Sequence, residues 1–388
     1  MTVPYDLRFA NLKEKVKLEG LDAIMITKPW EAILEPNGAL PNVFYLTGYM
    51  LQHWNTGGLF LVVPAKGDPF AVTASYPLEP IPGLSTYHLY AQVNPNSTYH
   101  KLEEVFRATG LNSGRIGIEK DTIPVGIFDR LQLLFPNAEF VGGDHLLMQL
   151  RMIKDDSEIA NLKKAIEVLE GGIKAIANNI EIGMSQLDLM VIIRRTIIEA
   201  GAIPSHELFE KSLILEEMEP YNPPKPGFVE EGKVITIDCL AGYSKYIADL
   251  TRQVVIGSAA DKYRTTVKEL AKIEDALAKG VKPGMSQADA LKVCMDIKQS
   301  WPFEEELFIQ IHGLGLEVHE RPLVSTPNVD YFPLPKPGSP YDIKFAPNMI
   351  LNLELGTASC TLEDAYLLDT EGMHRLTELP REILIASR

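Results

Sequence analysis

What this sequence lacks narrows its functions first. Cysteine is scarce: the three residues, Cys239, Cys294 and Cys360, lie far apart and are odd in number. They read as reduced core residues, which excludes a disulfide framework and a cysteine-built zinc cage. No apolar run is long enough to span a bilayer, and the opening MTVPYDLRF lacks a basic-then-apolar signal pattern. The expected location is the cytoplasm. Positive charge is in deficit, with 37 Lys and Arg against 52 Asp and Glu and a net charge of -15. That sign excludes nucleic acid and anionic membrane as partners, because phosphate binding needs the opposite one. Low-complexity tracts are missing as well. What remains is a globular composition, 46% hydrophobic and 23% charged. At 388 residues the chain exceeds one ordinary core, so two domains are expected.

The first half alternates. Helical spacing covers 7–19, and strands are expected at 22–27 and 43–47. Segments 58–63 and 69–74 form a hairpin across 64–67. A helix at 101–110, a strand at 115–119, a helix at 124–135 and a strand at 138–141 follow. This pattern predicts an α/β domain over 1–150. His53 and Trp54 fall in a loop after Tyr45-Leu-Thr-Gly-Tyr, where they face a cleft or partner, or simply pack on the surface. His88, His100 and His145 are scattered and read as structural.

Residues 151–388 contain a repeat. A long helix opens at Arg151, with Ile159, Leu162, Ile166, Leu169, Ile173 and Ile176 on one apolar face. Gly183-Met-Ser-Gln-Leu-Asp is echoed by Gly284-Met-Ser-Gln-Ala-Asp. Each string approximates a capping box, in which the serine oxygen accepts from the new helix and an acid three residues on reaches back. Each follows a helix (157–178 and 262–279) and precedes a strand-rich segment. The expectation is an α+β domain of two half-domains, packed face to face about an internal pseudo-twofold, with a site drawing residues from both.

Between the two strings lies VITIDCLAGYSKYIADLTRQVVIG, residues 234–257. It reads as two strands and a turn, with Asp238 ending the first and Asp249 at the entrance to the second. Paired acids in apolar strands are costly and raise each other's pKa unless something neutralises them. Two readings fit the hairpin: a metal site, or one aspartate capping a turn while the other pairs with Arg252. Further candidates lie downstream. His312 ends an apolar run and precedes Gly313 and Gly315, which leave room beside the imidazole, and His319 follows in the same segment. Glu354 sits in MILNLELG and Glu363 in CTLEDAYLL. One dinuclear centre accounts for all these acids together. Oxygen-rich ligation with a single nitrogen suits Mn²⁺, Co²⁺ or Fe²⁺, with Zn²⁺ possible. Two dications would offset four carboxylates and acidify a water between them.

These residues, in this order, resemble the methionine aminopeptidase/prolidase/creatinase superfamily of pita-bread metallohydrolases. Asp238 and Asp249-Leu-Thr-Arg, with His312-Gly-Leu-Gly and His319-Glu-Arg-Pro, are the specific parts. The first half is similar to a creatinase-type N-terminal domain through Leu21-Asp-Ala-Ile-Met-Ile-Thr, Tyr45-Leu-Thr-Gly-Tyr and the junction at Leu150-Arg-Met-Ile-Lys. The resemblance implies a 1–150 creatinase-like domain, a 151–388 pita-bread catalytic domain and two divalent metal ions. It implies that Asp238 chelates one metal, that His312 and Glu354 bind the other, and that Asp249 and Glu363 bridge. Glu354 would also shuttle a proton, and His319 would contact substrate and steady the tetrahedral intermediate. A homodimer is implied too, with His53 and Trp54 lining the partner's cleft.

The departures concern substrate. Pro220-Tyr221 stands where peptidases of the superfamily carry a histidine, and Tyr221 is the candidate substitute donor. Leu240 replaces a glycine, Leu355 a proline, and Thr361 the arginine of prolidases. The favoured expectation is an Xaa-Pro dipeptidase or aminopeptidase acting through a metal-bridging hydroxide. The second is a non-peptidase relative that cleaves a C–N or other bond in a small polar metabolite, or a metal-dependent lyase. The third is a binding protein on a peptidase scaffold.

Overall fold

The computed structural model describes residues 3–28, 41–48, 59–73, 84–88, 95–202, 227, 229–328 and 333–386. The chain divides into two compact units, Met1–Arg151 and Met152–Arg388. Among the described residues no helix is long and apolar enough to cross a membrane.

The first unit runs α1 (Tyr5–Leu18), β1 (Ala23–Lys28), α2 (Pro41–Thr47), β2 (Leu59–Pro64), β3 (Phe70–Thr73), β4 (Ser85–His88), α3 (Pro95–Thr109), β5 (Arg115–Ile118), α4 (Val125–Leu134), β6 (Glu139–Gly142) and α5 (Asp144–Arg151). Its six strands form one mixed sheet in the order β4-β3-β2-β1-β5-β6. The central strands are apolar on both faces, as a sheet covered on both sides requires. Leu102, Phe106, Leu131 and Phe135 close one side with almost no exposure. Each such side chain contributes on the order of 1.5–3 kcal/mol.

One expected strand is a helix. Residues 43–47 lie in α2, with Val43, Tyr45 and Leu46 buried. A short apolar run has no periodicity to separate a buried strand from a buried helix. Proline at the first helical position, Pro41, carries the signal instead.

The second unit contains α6 (Asp156–Asn179), α7 (Gln186–Glu199), β7 (Val234–Tyr243), β8 (Tyr246–Val255), α8 (Asp261–Gly280), α9 (Gln287–Lys298), β9 (Phe308–Gly313), β10 (Glu320–Ser325), β11 (Met349–Gly356), β12 (Thr361–Leu368), β13 (Met373–Arg375) and β14 (Leu384–Ile385). The helix expected to open at Arg151 begins later. Arg151 ends α5, and α6 starts from a capping box of Asp155 and Glu158.

The repeat is structural down to individual bonds. Ser185 and Asp188 cap α7, and Ser286 and Asp289 cap α9, both as full capping boxes. Aspartate therefore does reach back at this position. Ahead of each cap a glycine adopts a φ that favours glycine, 89° at Gly183 and 90° at Gly284. Gly183 N–H donates to Val229 O, and Gly284 N–H to Phe345 O, each at 2.8 Å.

The half-domains do not face each other as two sheets. Their strands join into one eight-stranded sheet along the path β10-β9-β11-β12-β8-β14, with β7 beside β8 and β13 beside β12. The join is the bridge between Glu363 of β12 and Thr251 of β8. Helix α6 packs on β7 and β8, and α8 on β11 and β12. The pseudo-twofold thus runs through a seam in a single sheet. That seam sets the hairpin bearing Asp238 and Asp249 beside the hairpin bearing Glu354 and Glu363.

Candidate metal centre

The β7–β8 hairpin is longer than the sequence implies. Its turn is Ser244-Lys245, with φ of 48° and 71°, the positive pair of a tight two-residue hairpin. Asp238 and Asp249 are therefore mid-strand residues. Asp238 lies opposite Thr251, and Asp249 opposite Leu240. The two acids are diagonal neighbours on one face, not direct partners.

Register extends that face across the seam. Thr251 pairs with Glu363, Glu363 with Glu354, and Glu354 with Gln310. Together with Asp238 they form one transverse row. His312 pairs with Asn352, two residues before Glu354 and so on the same face. Three overlapping groups result: Asp238, Asp249 and Glu363; His312, Glu354 and Glu363; and Asp249, His312 and His319. Within each group the candidate ligand atoms lie within 4.8 Å of one another.

Hydrogen bonds fix the key side chains. His312 Nδ1 lies 3.0 Å from Val318 O. A carbonyl only accepts, so Nδ1 carries the proton and donates. Nε2 then faces Glu363 Oε1, 3.2 Å away. At that distance the pair is joined by a proton on Nε2 or by a cation between the two atoms. Asn352 Nδ2 donates to Glu363 Oε1 at 2.7 Å and to Asp249 O at 2.9 Å. Thr251 Oγ1 donates to Glu363 Oε2 at 3.0 Å. His319 is exposed, and its ring stands edge-on to His312 with centroids 4.7 Å apart.

The electrostatics are those of an acid cluster short of positive charge. Burial pushes Asp249 well above the usual carboxylate range, and Glu363, Asp238 and Glu354 push it further. Glu354 is raised in the same way, by burial first and then by Glu363 and Asp238. Burial also works to raise Glu363, but the bonds from His312, Asn352 and Thr251 outweigh it and leave this acid below its ordinary value. Asp249 Oδ1 is buried with no hydrogen-bond partner. No lysine or arginine among the described residues pairs with Asp249, Glu354 or Glu363. An orphaned buried carboxylate oxygen beside three further acids and one imidazole nitrogen fits divalent cations, and oxygen-rich ligation suits hard to borderline ions.

Several expectations meet corrections here. Arg252 pairs with neither hairpin aspartate: it points to the opposite face and binds Asp364. Gly313 and Gly315 do not make room for the imidazole. A Cβ on Gly313 would press on the backbone of β10, and one on Gly315 would overlap the Glu320 carboxylate. Leu240 packs with Ile247 and Val318 as a small apolar wall beside the acids. Tyr221, Pro220, His53 and Trp54 lie outside the described residues. Thr251 and Asn352 escaped the sequence reading. Their signal was present, as polar residues two positions from a candidate acid in otherwise apolar strands.

Residues 160–375 match the profile of Metallopeptidase family M24, and residues 8–153 that of the Creatinase/Prolidase N-terminal domain. The first match covers more than half of the chain. The chain belongs to metallopeptidase family M24. M24 membership implies divalent metal ions, and the acid and histidine groups above could hold them. The M24 chain is 24% identical over 390 residues to an Xaa-Pro dipeptidase of Pyrococcus horikoshii, covering 96% of this chain and 99% of the relative. It is also 24% identical over 387 residues to an Xaa-Pro dipeptidase of Pyrococcus furiosus, covering 97% and 99%. Its fold matches the crystal structure of an X-Pro aminopeptidase from Thermotoga maritima with a TM-score of 0.74 and 22% identity, over 96% of this chain and 99% of that one. An Xaa-Pro dipeptidase from Bacillus anthracis gives a TM-score of 0.74 and 19% identity, over 98% and 99%.

Proposed function

We propose that this M24 chain is a dinuclear-metal-dependent peptidase of the Xaa-Pro dipeptidase or aminopeptidase type. The observation that carries the reading is the convergence of Asp238, Asp249, His312, Glu354 and Glu363 on one sheet face, with the Asp249 Oδ1 atom unpartnered. These five residues would hold two divalent cations, Mn²⁺ first, with Co²⁺, Fe²⁺ or Zn²⁺ as alternatives. When bound, such ions polarise a scissile carbonyl and make water nucleophilic at neutral pH. Glu354 takes a proton from the attacking water on a carboxylate oxygen and returns it to the departing amide nitrogen. His319, exposed beside His312, donates a ring N–H to the oxyanion that develops on the substrate. Asn352 and Thr251 orient Glu363. Leu240, Ile247 and Val318 give an apolar side chain or a proline ring a dry surface.

The dipeptide substrate follows from the relatives named Xaa-Pro dipeptidase. The family resemblance supports a cytoplasmic homodimer, a domain boundary at 150/151, and substrate contacts from Tyr221 and Trp54. A second reading, a non-peptidase relative acting on a small polar metabolite, is favoured by Pro220-Tyr221 and Thr361, which stand where peptidases of the superfamily carry histidine and arginine. Assay of an Xaa-Pro dipeptide panel with the Mn²⁺-loaded protein separates them. Turnover that Asp249→Ala abolishes supports the peptidase. No turnover of any dipeptide at full metal occupancy moves the assignment to the second reading.

A further inference from the structure

The loop 314–319 between β9 and β10 carries His319 and supplies the carbonyl that fixes His312. Its first half is tied to neighbouring strands: Leu314 N–H donates to Ile350 O at 3.0 Å, and Ile247 N–H donates to Gly315 O at 2.7 Å. Its second half closes on one side chain. Glu320 Oε1 accepts from Leu316 N–H at 2.9 Å and from Glu317 N–H at 3.4 Å. The other oxygen, Oε2, accepts from Lys154 Nζ at 2.7 Å. Both side chains are almost wholly buried, 2% exposed for Lys154 and 5% for Glu320. Gly315 leaves the space in which the carboxylate lies against the loop. Lys154 is itself anchored by its N–H to Asn348 O at 2.8 Å, one residue before the cap of α6.

A buried ion pair is a poor device for stability alone, because desolvating two charges costs about as much as their attraction returns. This one has a geometric consequence. With the amides of Leu316 and Glu317 gathered onto Glu320, the Val318 carbonyl meets His312 Nδ1. That bond engages Nδ1 and leaves Nε2, the nitrogen 3.2 Å from Glu363 Oε1, as the one a metal ion can take. We propose that Glu320, whose buried charge Lys154 neutralises, is a positioning residue: its carboxylate folds the loop so that His312 presents Nε2 to a metal ion. The inference rests on the metal-centre reading above, and Glu320 touches no reacting atom.

The test is calorimetric titration of Co²⁺ into metal-free protein, with the Co²⁺ absorption spectrum and the ¹⁵N shifts of the His312 ring as independent readouts. Glu320→Ala is expected to weaken one of two binding steps by about 10–100-fold, the range typical when the partner that orients a ligand is lost. It should also break the Nδ1–H hydrogen bond of His312 to Val318 O in the metal-free protein, seen as a shift of the Nδ1 resonance. The double variant Lys154→Met/Glu320→Gln keeps an acceptor for the loop amides without the ion pair, and is expected to recover both. Glu320→Asp, which keeps the charge but shortens the reach, substitutes if Glu320→Ala does not fold, and is expected to weaken the same step. Unchanged binding and an unchanged Nδ1 resonance in a folded variant overturn the proposal. A loss that Lys154→Met/Glu320→Gln shares with Glu320→Ala overturns it too. Wild-type protein that takes up no Co²⁺ defeats the metal-centre reading instead, while the Nδ1 resonance still decides whether Glu320 positions His312.

Discussion

The two faces of β8 and β12 treat buried acids in opposite ways. On the face toward α8, Arg252 and Asp364 are both fully buried and paired, and Arg375 adds a contact to Asp364 at 3.3 Å. Glu274 of α8 is likewise met by Arg381 at 2.9 Å. On the other face, three residues before Arg252 and one before Asp364, Asp249 and Glu363 are also buried and have no arginine or lysine partner among the described residues. The chain thus places arginine where it holds the fold together and leaves it out where the acids converge. Strand alternation separates the two solutions by a single peptide. The first unit shows a third. Burial pushes Glu119 up to about 7, the Asn42 amide and the Arg151 charge offset only part of that, and below that pH a proton neutralises the acid.

The sharpest way to break the contrast is to remove its positive side. Arg252→Met is expected to cost about 3–5 kcal/mol in denaturant unfolding, because it leaves Asp364 buried and short of its main partner. Arg252→Met/Asp364→Leu should return most of that loss. A benign single variant would mean that the back face is not held by charge.

The protonated solution predicts a pH dependence of similar size. Glu119 has a raised folded pKa, so its stabilising contribution is complete below its ordinary value of 4.5 and is lost as the pH rises through about 7. Over that window the first unit should lose about 3 kcal/mol, and Glu119→Gln should flatten the curve. Identical profiles for the two proteins would show that Glu119 ionises freely.

The unneutralised face predicts the smallest effect, and it has an unusual sign. Asp249 is raised by burial and by its neighbouring acids. In the metal-free protein its favourable contribution is therefore lost as the pH rises through that raised value. Asp249→Asn should stabilise the metal-free protein at neutral pH by on the order of 1 kcal/mol while it weakens metal uptake. Thermal unfolding with and without chelator reads both. A variant less stable in both conditions would count Asp249 as an ordinary structural residue.

The legible parts of this molecule were local. Ser185 with Asp188, Ser286 with Asp289 and the apolar face of α6 are short-range patterns, and helix capping is decided within one turn. The acids of the site stood out because an acid in an apolar strand needs a reason. What stayed hidden depends on pairing over long separations. Arg252 meets a residue 112 positions away, and nothing in the hairpin distinguishes Asp364 from the nearer Asp238 or Asp249. The single sheet was hidden for the same reason, since one bridge between Glu363 and Thr251 decides it. Lys154 and Glu320 lie 166 positions apart, and each reads alone as an exposed charge. The short run at 43–47 failed differently, because its apolar residues satisfy a buried helix as well as a strand.

The central claim is that the front face holds two cations in place of arginines. Its most direct measurement is the number of Mn²⁺ ions bound per chain after chelation, dialysis and titration, in wild type and in Asp249→Ala. The account predicts two for the wild type and a clear loss in the variant. Less than one ion bound by the wild type, with Asp249→Ala no different, would contradict it.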